Sequence, residues 1–102
     1  MTYKVIVSNT ARLQLRSHIA FLASVSPSGA RSTKQRLMDA FRSLEHMPQR
    51  YPFLDEEFLP RSKYRKLYVP SCYLILYQIR DATVYIDYVL DCRQDYSWLL
   101  PT

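Results

Sequence analysis

Glycine occurs once in this chain, at Gly29. A phosphate-cradling loop needs several glycines to bring backbone amides against its ligand, and a flexible linker needs them for freedom, so composition excludes both. Long hydrophobic runs are missing too: no segment approaches the roughly 20 apolar residues that cross a bilayer. The opening MTYKVIVSNTARLQLRS alternates apolar with polar residues instead of forming the continuous apolar stretch of a signal peptide. These absences predict a cytoplasmic protein. Cysteine is scarce, and Cys72 and Cys92 form no CxxC pair. In a reducing compartment neither a structural disulfide nor a zinc site is expected from them, and they read as small buried hydrophobes. Acidic residues are outnumbered, nine Asp and Glu against fourteen Lys and Arg, which leaves a net charge of +5. That balance favours a polyanionic or acidic partner.

What the chain does have is apolar and aromatic material. Its 102 residues are 48% hydrophobic, with nine Tyr and four Phe, enough for one compact core and a single domain over 1–102. Residues 2–8 alternate, Tyr3, Val5 and Val7 on one side and Lys4 and Ile6 on the other, as in a strand with one face more buried. Ser8 suits a helix N-cap, and Ala11, Leu15, Ile19 and Leu22 then recur at helical spacing to about Val25. Ser26-Pro27 places a second cap residue before a proline at the first helical position, where the missing N–H costs nothing. Ala30, Leu37, Phe41 and Leu44 share one face of this second helix, which the pattern carries on until Pro48.

Residues 48–62 hold Pro48, Pro52, Pro60 and the acidic run Asp55-Glu56-Glu57 without a sustained period, and read as a loop. Three strand-like runs follow: Tyr64 to Val69, Tyr73 to Arg80 and Thr83 to Leu90, separated by Pro70-Ser71 and Asp81-Ala82. Tyr73, Ile75, Tyr77 and Ile79, with Val84, Ile86, Tyr88 and Leu90, are expected to face the helices. Tyr85, Asp87, Asp91 and Arg93 alternate on the opposite side. The order β-α-α-β-β-β predicts an α+β fold, a helical hairpin packed on one face of a small, mainly antiparallel sheet whose other face is left free.

The stretch Tyr64-Arg65-Lys66-Leu67-Tyr68-Val69-Pro70-Ser71-Cys72-Tyr73-Leu74-Ile75-Leu76-Tyr77-Gln78-Ile79 has a basic-flanked strand, a tight turn, a Tyr, an apolar run and a second Tyr. With Val84-Tyr85-Ile86, Val89-Leu90 and Arg93-Gln94-Asp95-Tyr96, it resembles the RelE/ParE superfamily, the toxins of type II toxin–antitoxin systems. Together with the helix hairpin, the resemblance covers essentially the whole chain. It implies a growth-inhibiting toxin and a cognate antitoxin. RelE-like members bind the ribosome and cleave mRNA, whereas ParE-like members poison DNA gyrase, so the fold alone leaves the target open. The leading expectation is a ribosome-dependent mRNA endonuclease needing no metal or cofactor. The alternatives are a gyrase inhibitor without nuclease activity, or an inactive member that still binds antitoxin.

RNA cleavage of this kind implies attack of the ribose 2′-hydroxyl on the adjacent phosphate, which calls for a base, a leaving-group acid and cations on the phosphorane. By resemblance, Arg93 matches a phosphate-binding Arg, Tyr96 matches a catalytic Tyr, and Asp95 stands where related toxins carry a His. Arg65 and Lys66 lie in a strand where RelE-like toxins place cations, and Arg61 and Lys63 add RNA-binding charge before it. Strand alternation lets only one of Arg65 and Lys66 face the open side. Each has a plainer reading: Arg93 and Asp95 as partners in a tail ion pair, Arg65 and Lys66 as charges guarding a sheet edge. Three positions depart from the nuclease pattern: Leu74 where an active-site Arg is usual, Gln94 in place of a cation, and Cys92 in place of a Gly. His18 and His46 match no base of the family. The antitoxin is expected to lay an acidic segment on the hairpin or sheet, with Phe53, Leu54, Phe58, Tyr68 and Trp98 as apolar surface for it to cover.

Overall fold

A computed structural model describes residues 2–55, 61–70 and 72–92 of the protein. The chain runs through strand β1 (Lys4–Val7), helices α1 (Asn9–Val25) and α2 (Pro27–Ser43), a 3-10 turn (Pro48–Arg50), and strands β2 (Arg65–Val69), β3 (Tyr73–Arg80) and β4 (Thr83–Asp91). The strands form one sheet in the order β1-β4-β3-β2, with β1 parallel to β4 and the other pairs antiparallel. The expected α+β order and its mainly antiparallel sheet are therefore present.

Both helices begin where their cap residues lie. The Ser8 hydroxyl accepts from the Ala11 N–H at 3.0 Å, and that of Ser26 from the Gly29 N–H at 3.1 Å with Pro27 in the first position, each satisfying an orphan donor of the first turn. The end of α2 differs from the sequence expectation: it closes at Ser43, five residues before Pro48. A residue preceding proline is kept out of the helical region, and Met47 takes a left-handed φ of 46°. The last helical carbonyl and two beyond the helix turn to Arg50 instead. Its guanidinium donates to the Ser43 oxygen at 3.3 Å, to that of Met47 at 3.1 Å, and to that of His46.

The main core lies between helices and sheet. Ala11, Leu37 and Phe41 meet Ile75, Tyr77, Val84 and Ile86, and Val5 and Val7 pack against them from β1. Facing side chains on β4 are not those that strict alternation predicts. Tyr77 pairs with Ile86 but Leu76 with Tyr88, so Asp87 is an extra residue, a β-bulge. Beyond it Val89 takes the helix-facing place, Tyr88 and Leu90 turn to the opposite face, and Asp91 is carried to the helix side opposite Tyr73.

That opposite face is not left free either, again unlike the expectation. The segment after the 3-10 turn runs back along the outer edge of β2: the Lys66 N–H donates to the Pro52 carbonyl at 2.9 Å and the Leu54 N–H to the Tyr64 carbonyl at 2.8 Å. Leu54 and Tyr64 are thereby laid over Leu74, Leu76 and Leu90 as a second, smaller core. Leu54, which the sequence suggests as apolar surface for a partner to cover, is buried here.

On the other edge, β4 outruns β1, and α1 takes over as its partner. The Ser8 N–H donates to the Ile86 carbonyl at 2.9 Å and its hydroxyl to that of Asp87 at 3.0 Å. About two and three turns on, Gln14 accepts from the Val89 N–H at 2.8 Å and His18 Nε2 donates to the Val89 carbonyl at 2.9 Å. Two side chains four residues apart thus do what a neighbouring strand would do for the backbone.

Candidate functional site

Of the chemistry-bearing residues that the sequence singled out on the strands, only some come to the face of the sheet away from the helices. Pairing of β2 with β3 decides between Arg65 and Lys66. Lys66 sits opposite Leu76 and so shares its face, whereas Arg65 sits opposite Tyr77 on the helix side. The Arg65 guanidinium donates to the Gln49 carbonyl at 3.0 Å and the Tyr51 carbonyl at 2.7 Å, and lies 4.1 Å from the centre of the Phe53 ring. These are structural contacts that fasten the loop to β2, stronger than neutral hydrogen bonds because the donor is charged. Arg61 and Lys63 are exposed, with Lys63 Nζ 5.3 Å from the centre of the Tyr64 ring.

At the middle of this face stand Tyr64, Gln78, Asp87 and Tyr88. Gln78 Nε2 donates to the Asp87 carboxylate at 2.6 Å, and the Tyr64 and Tyr88 rings meet edge to face at 5.9 Å. Burial, then the Asp87 carboxylate beside it, pushes the Tyr64 phenol up to about 12, since both oppose a phenolate. Asp87 was legible as an open-face residue. Its grouping with Tyr64 was not, because that needs both the bulge and the returning loop. Leu74, one row along, is buried in the second core and presents no polar atom.

Arg93, Gln94, Asp95, Tyr96, Phe58 and Trp98 lie outside the described residues. Of the nuclease candidates, the structure therefore brings Lys66 to the face away from the helices, turns Arg65 to the loop, and leaves Arg61 and Lys63 on the approach to β2. Among the described residues no group of three or more His, Cys, Asp or Glu could hold a metal ion, and no helix is long and apolar enough to cross a membrane.

The second feature is a groove along the helical hairpin, about 410 Å³ in volume. Leu15, Ile19, Ala20 and Ala23 give it an apolar wall, and Arg12, Arg16 and Lys34 line it as well, with no acidic residue in the lining among the described residues. Nearby, α1 exposes Leu13, Phe21 and Val25. An apolar trough flanked only by cations accepts an amphipathic segment with acidic borders.

Residues 5–96 match the family model described as the ParE toxin of the type II toxin–antitoxin system parDE. The chain belongs to the ParE toxin family. Among solved structures, this ParE-family toxin is similar to a chain titled "Chromosomal ParDE TA system from P. aeruginosa", with a TM-score of 0.72 over 86% of this chain and 94% of that one. Sequence identity there is 12%, so the likeness is one of fold. By sequence, no curated protein matches the toxin.

Proposed function

We propose that this ParE-family toxin arrests bacterial growth by binding DNA gyrase, without cutting RNA, and that its antitoxin seats an acidic amphipathic helix in the groove between α1 and α2. The observation that carries the first half is Leu74. It occupies the position where the RelE-like pattern implies an active-site Arg, and it is buried beneath Leu54 and Tyr64. A phosphorane needs cations preorganised against it, and Arg65 is spent on two carbonyls and a ring. A protein-binding inhibitor needs none of this machinery.

The second reading is ribosome-dependent mRNA cleavage, with Arg93, Tyr96 and Asp95 as the catalytic set and Arg61, Lys63 and Lys66 binding RNA. It is favoured by the exposed cations Arg61 and Lys63 leading into the strand that holds Lys66. Induction in a bacterial host separates the two. Gyrase-dependent DNA breaks with intact messages are expected. Cuts in ribosome-bound messages that vanish with Arg93→Ala would overturn the gyrase proposal. For the antitoxin, Arg16→Glu should weaken the complex, and the difference should shrink as salt rises, because the lost attraction is screened. An unchanged affinity at low salt would remove the groove from the interface.

A further inference from the structure

The two cysteines, 20 positions apart in sequence, end up face to face at one end of the sheet. Strands β3 and β4 pair Tyr73 with Asp91, and the same register carried one step outward sets Cys72 opposite Cys92. The backbone bond made there is the Cys92 N–H to the Cys72 carbonyl at 2.9 Å. Residues opposed in this hydrogen-bonded way have Cα atoms about 5.5 Å apart, inside the span that a disulfide bridges. Cys72 holds a left-handed φ of 72°, so its side chain departs from the direction an extended residue would give it, and the Cys72 thiol lies close enough to Cys92 to raise its pKa. Both cysteines are free and half-buried, and the exposed Tyr68 hydroxyl also reaches Cys72.

We infer that Cys72 and Cys92 form a dithiol that closes to an intramolecular disulfide by exchange with small-molecule disulfides, fastening the end of β4 to the start of β3. The inference is independent of the target that the toxin binds. In the first step the Cys72 thiolate attacks one sulfur of the external disulfide, whose S–S bond breaks and releases a thiolate. Cys92 then gives up its proton and attacks the Cys72 sulfur, expelling the second thiolate. Two cysteine thiols are oxidised, one external disulfide is reduced to two thiols, and the two cysteine protons end on those products. Burial and the neighbouring Cys72 push the Cys92 thiol up to about 11, which keeps it protonated near neutral pH, so the first attack falls to Cys72 and the resolving step is slow, limited by the small thiolate fraction of Cys92. Residues 93–102 continue directly from Cys92, so the bridge sits at the root of the segment that carries Arg93 and Tyr96.

The test treats the native full chain with oxidised glutathione, quenches in acid and reads the intact mass and the non-reduced peptide map. The wild type should lose two hydrogens, carry no glutathione, show a Cys72–Cys92 peptide, and regain its mass with dithiothreitol. Cys92→Ser should stop at a single glutathione adduct on Cys72. Closure should raise the wild-type Tm by on the order of 10 °C, because it cross-links a loop of about twenty residues in the unfolded chain. Accumulation of glutathione adducts on native wild type, thiols that stay unmodified, disulfide-linked dimers, or closure seen only in denaturant would each overturn the inference.

Discussion

Ile75 and Leu76 are neighbours on β3, both fully buried, and they point to opposite sides of the sheet. Ile75 is held between sheet and helices, among Leu37, Phe41, Val84 and Val89. Leu76 is covered by Tyr64, just ahead of β2, and by Leu54 from a loop joined to the β2 edge by two backbone hydrogen bonds and by Arg65. Equal burial thus hides unequal support. On the helix side, two capped helices hold the wall in place, and a cavity there cannot collapse. On the other side the described part of the cover is a loop segment held to the β2 edge, which can settle inward or shift.

The sharpest way to break that contrast is to truncate the two neighbours. Ile75→Ala should cost about 3–5 kcal/mol and Leu76→Ala about 2–3 kcal/mol in urea denaturation, since the penalty grows with the cavity that remains. A Leu76→Ala loss equal to that of Ile75→Ala would mean that the loop is as rigid as the hairpin. Removing the loop's anchor is the next test. Arg65→Ala deletes two charged hydrogen bonds and the Phe53 contact, and should lose about 1–3 kcal/mol while raising hydrogen exchange at Leu54 and Lys66, whose amides bond along that edge. Arg65→Lys should recover only part of this, because an ammonium lacks the fork that spans two carbonyls.

The same contrast explains how far the sequence could be read. Ser8, Ser26 and Pro27 marked the helix starts because a cap acts on amides two or three residues away, within reach of a local pattern. The β3 run was legible for the same reason: its alternation is undisturbed from Tyr73 to Ile79. On β4 both sides of Thr83–Leu90 are rich in apolar residues, so the insertion of Asp87 changes the facing of Tyr88 and Leu90 without leaving a mark in the composition. The proline-bearing loop has no period, and its burial of Leu54 depends on β2 pairing that lies ten residues later. For the candidate site, Leu74 was readable as a departure, but which of Arg65 and Lys66 faced outward was not. That choice is made by register with β3, a long-range fact.

A smaller effect is expected at the junction where α1 replaces β1 along β4. Ser8→Ala removes the cap to Ala11 and the bond to the Asp87 carbonyl at once, for a loss of about 1–2 kcal/mol. Ser8→Asp keeps an acceptor for Ala11 but has no proton for Asp87. If Ser8→Asp matches wild type in urea denaturation, the cap alone matters there. If it stays as low as the Ala variant, the tie to the bulge is what α1 contributes.

The smallest effect at neutral pH, and the most selective for the loop-covered face, is at Tyr64. Its phenol titrates near 12 in the folded protein against an ordinary 10, so folding favours the protonated form. The stability this contributes is complete below pH 10 and is lost as pH rises from 10 through 12. Tyr77, buried on the helix side with its hydroxyl donating to the Pro48 carbonyl at 2.7 Å, is also raised, chiefly by burial, and it persists in a Tyr64→Phe variant. Wild type and Tyr64→Phe should therefore differ by no more than about 1 kcal/mol at pH 7. Above pH 10 the wild type should lose stability more steeply, and the difference between the two urea curves isolates the share that the loop-covered face adds to the alkaline loss. Parallel curves from pH 7 to 12 would mean that Tyr64 ionises as it does in the unfolded chain, and that its cover opens before the helix-side core does.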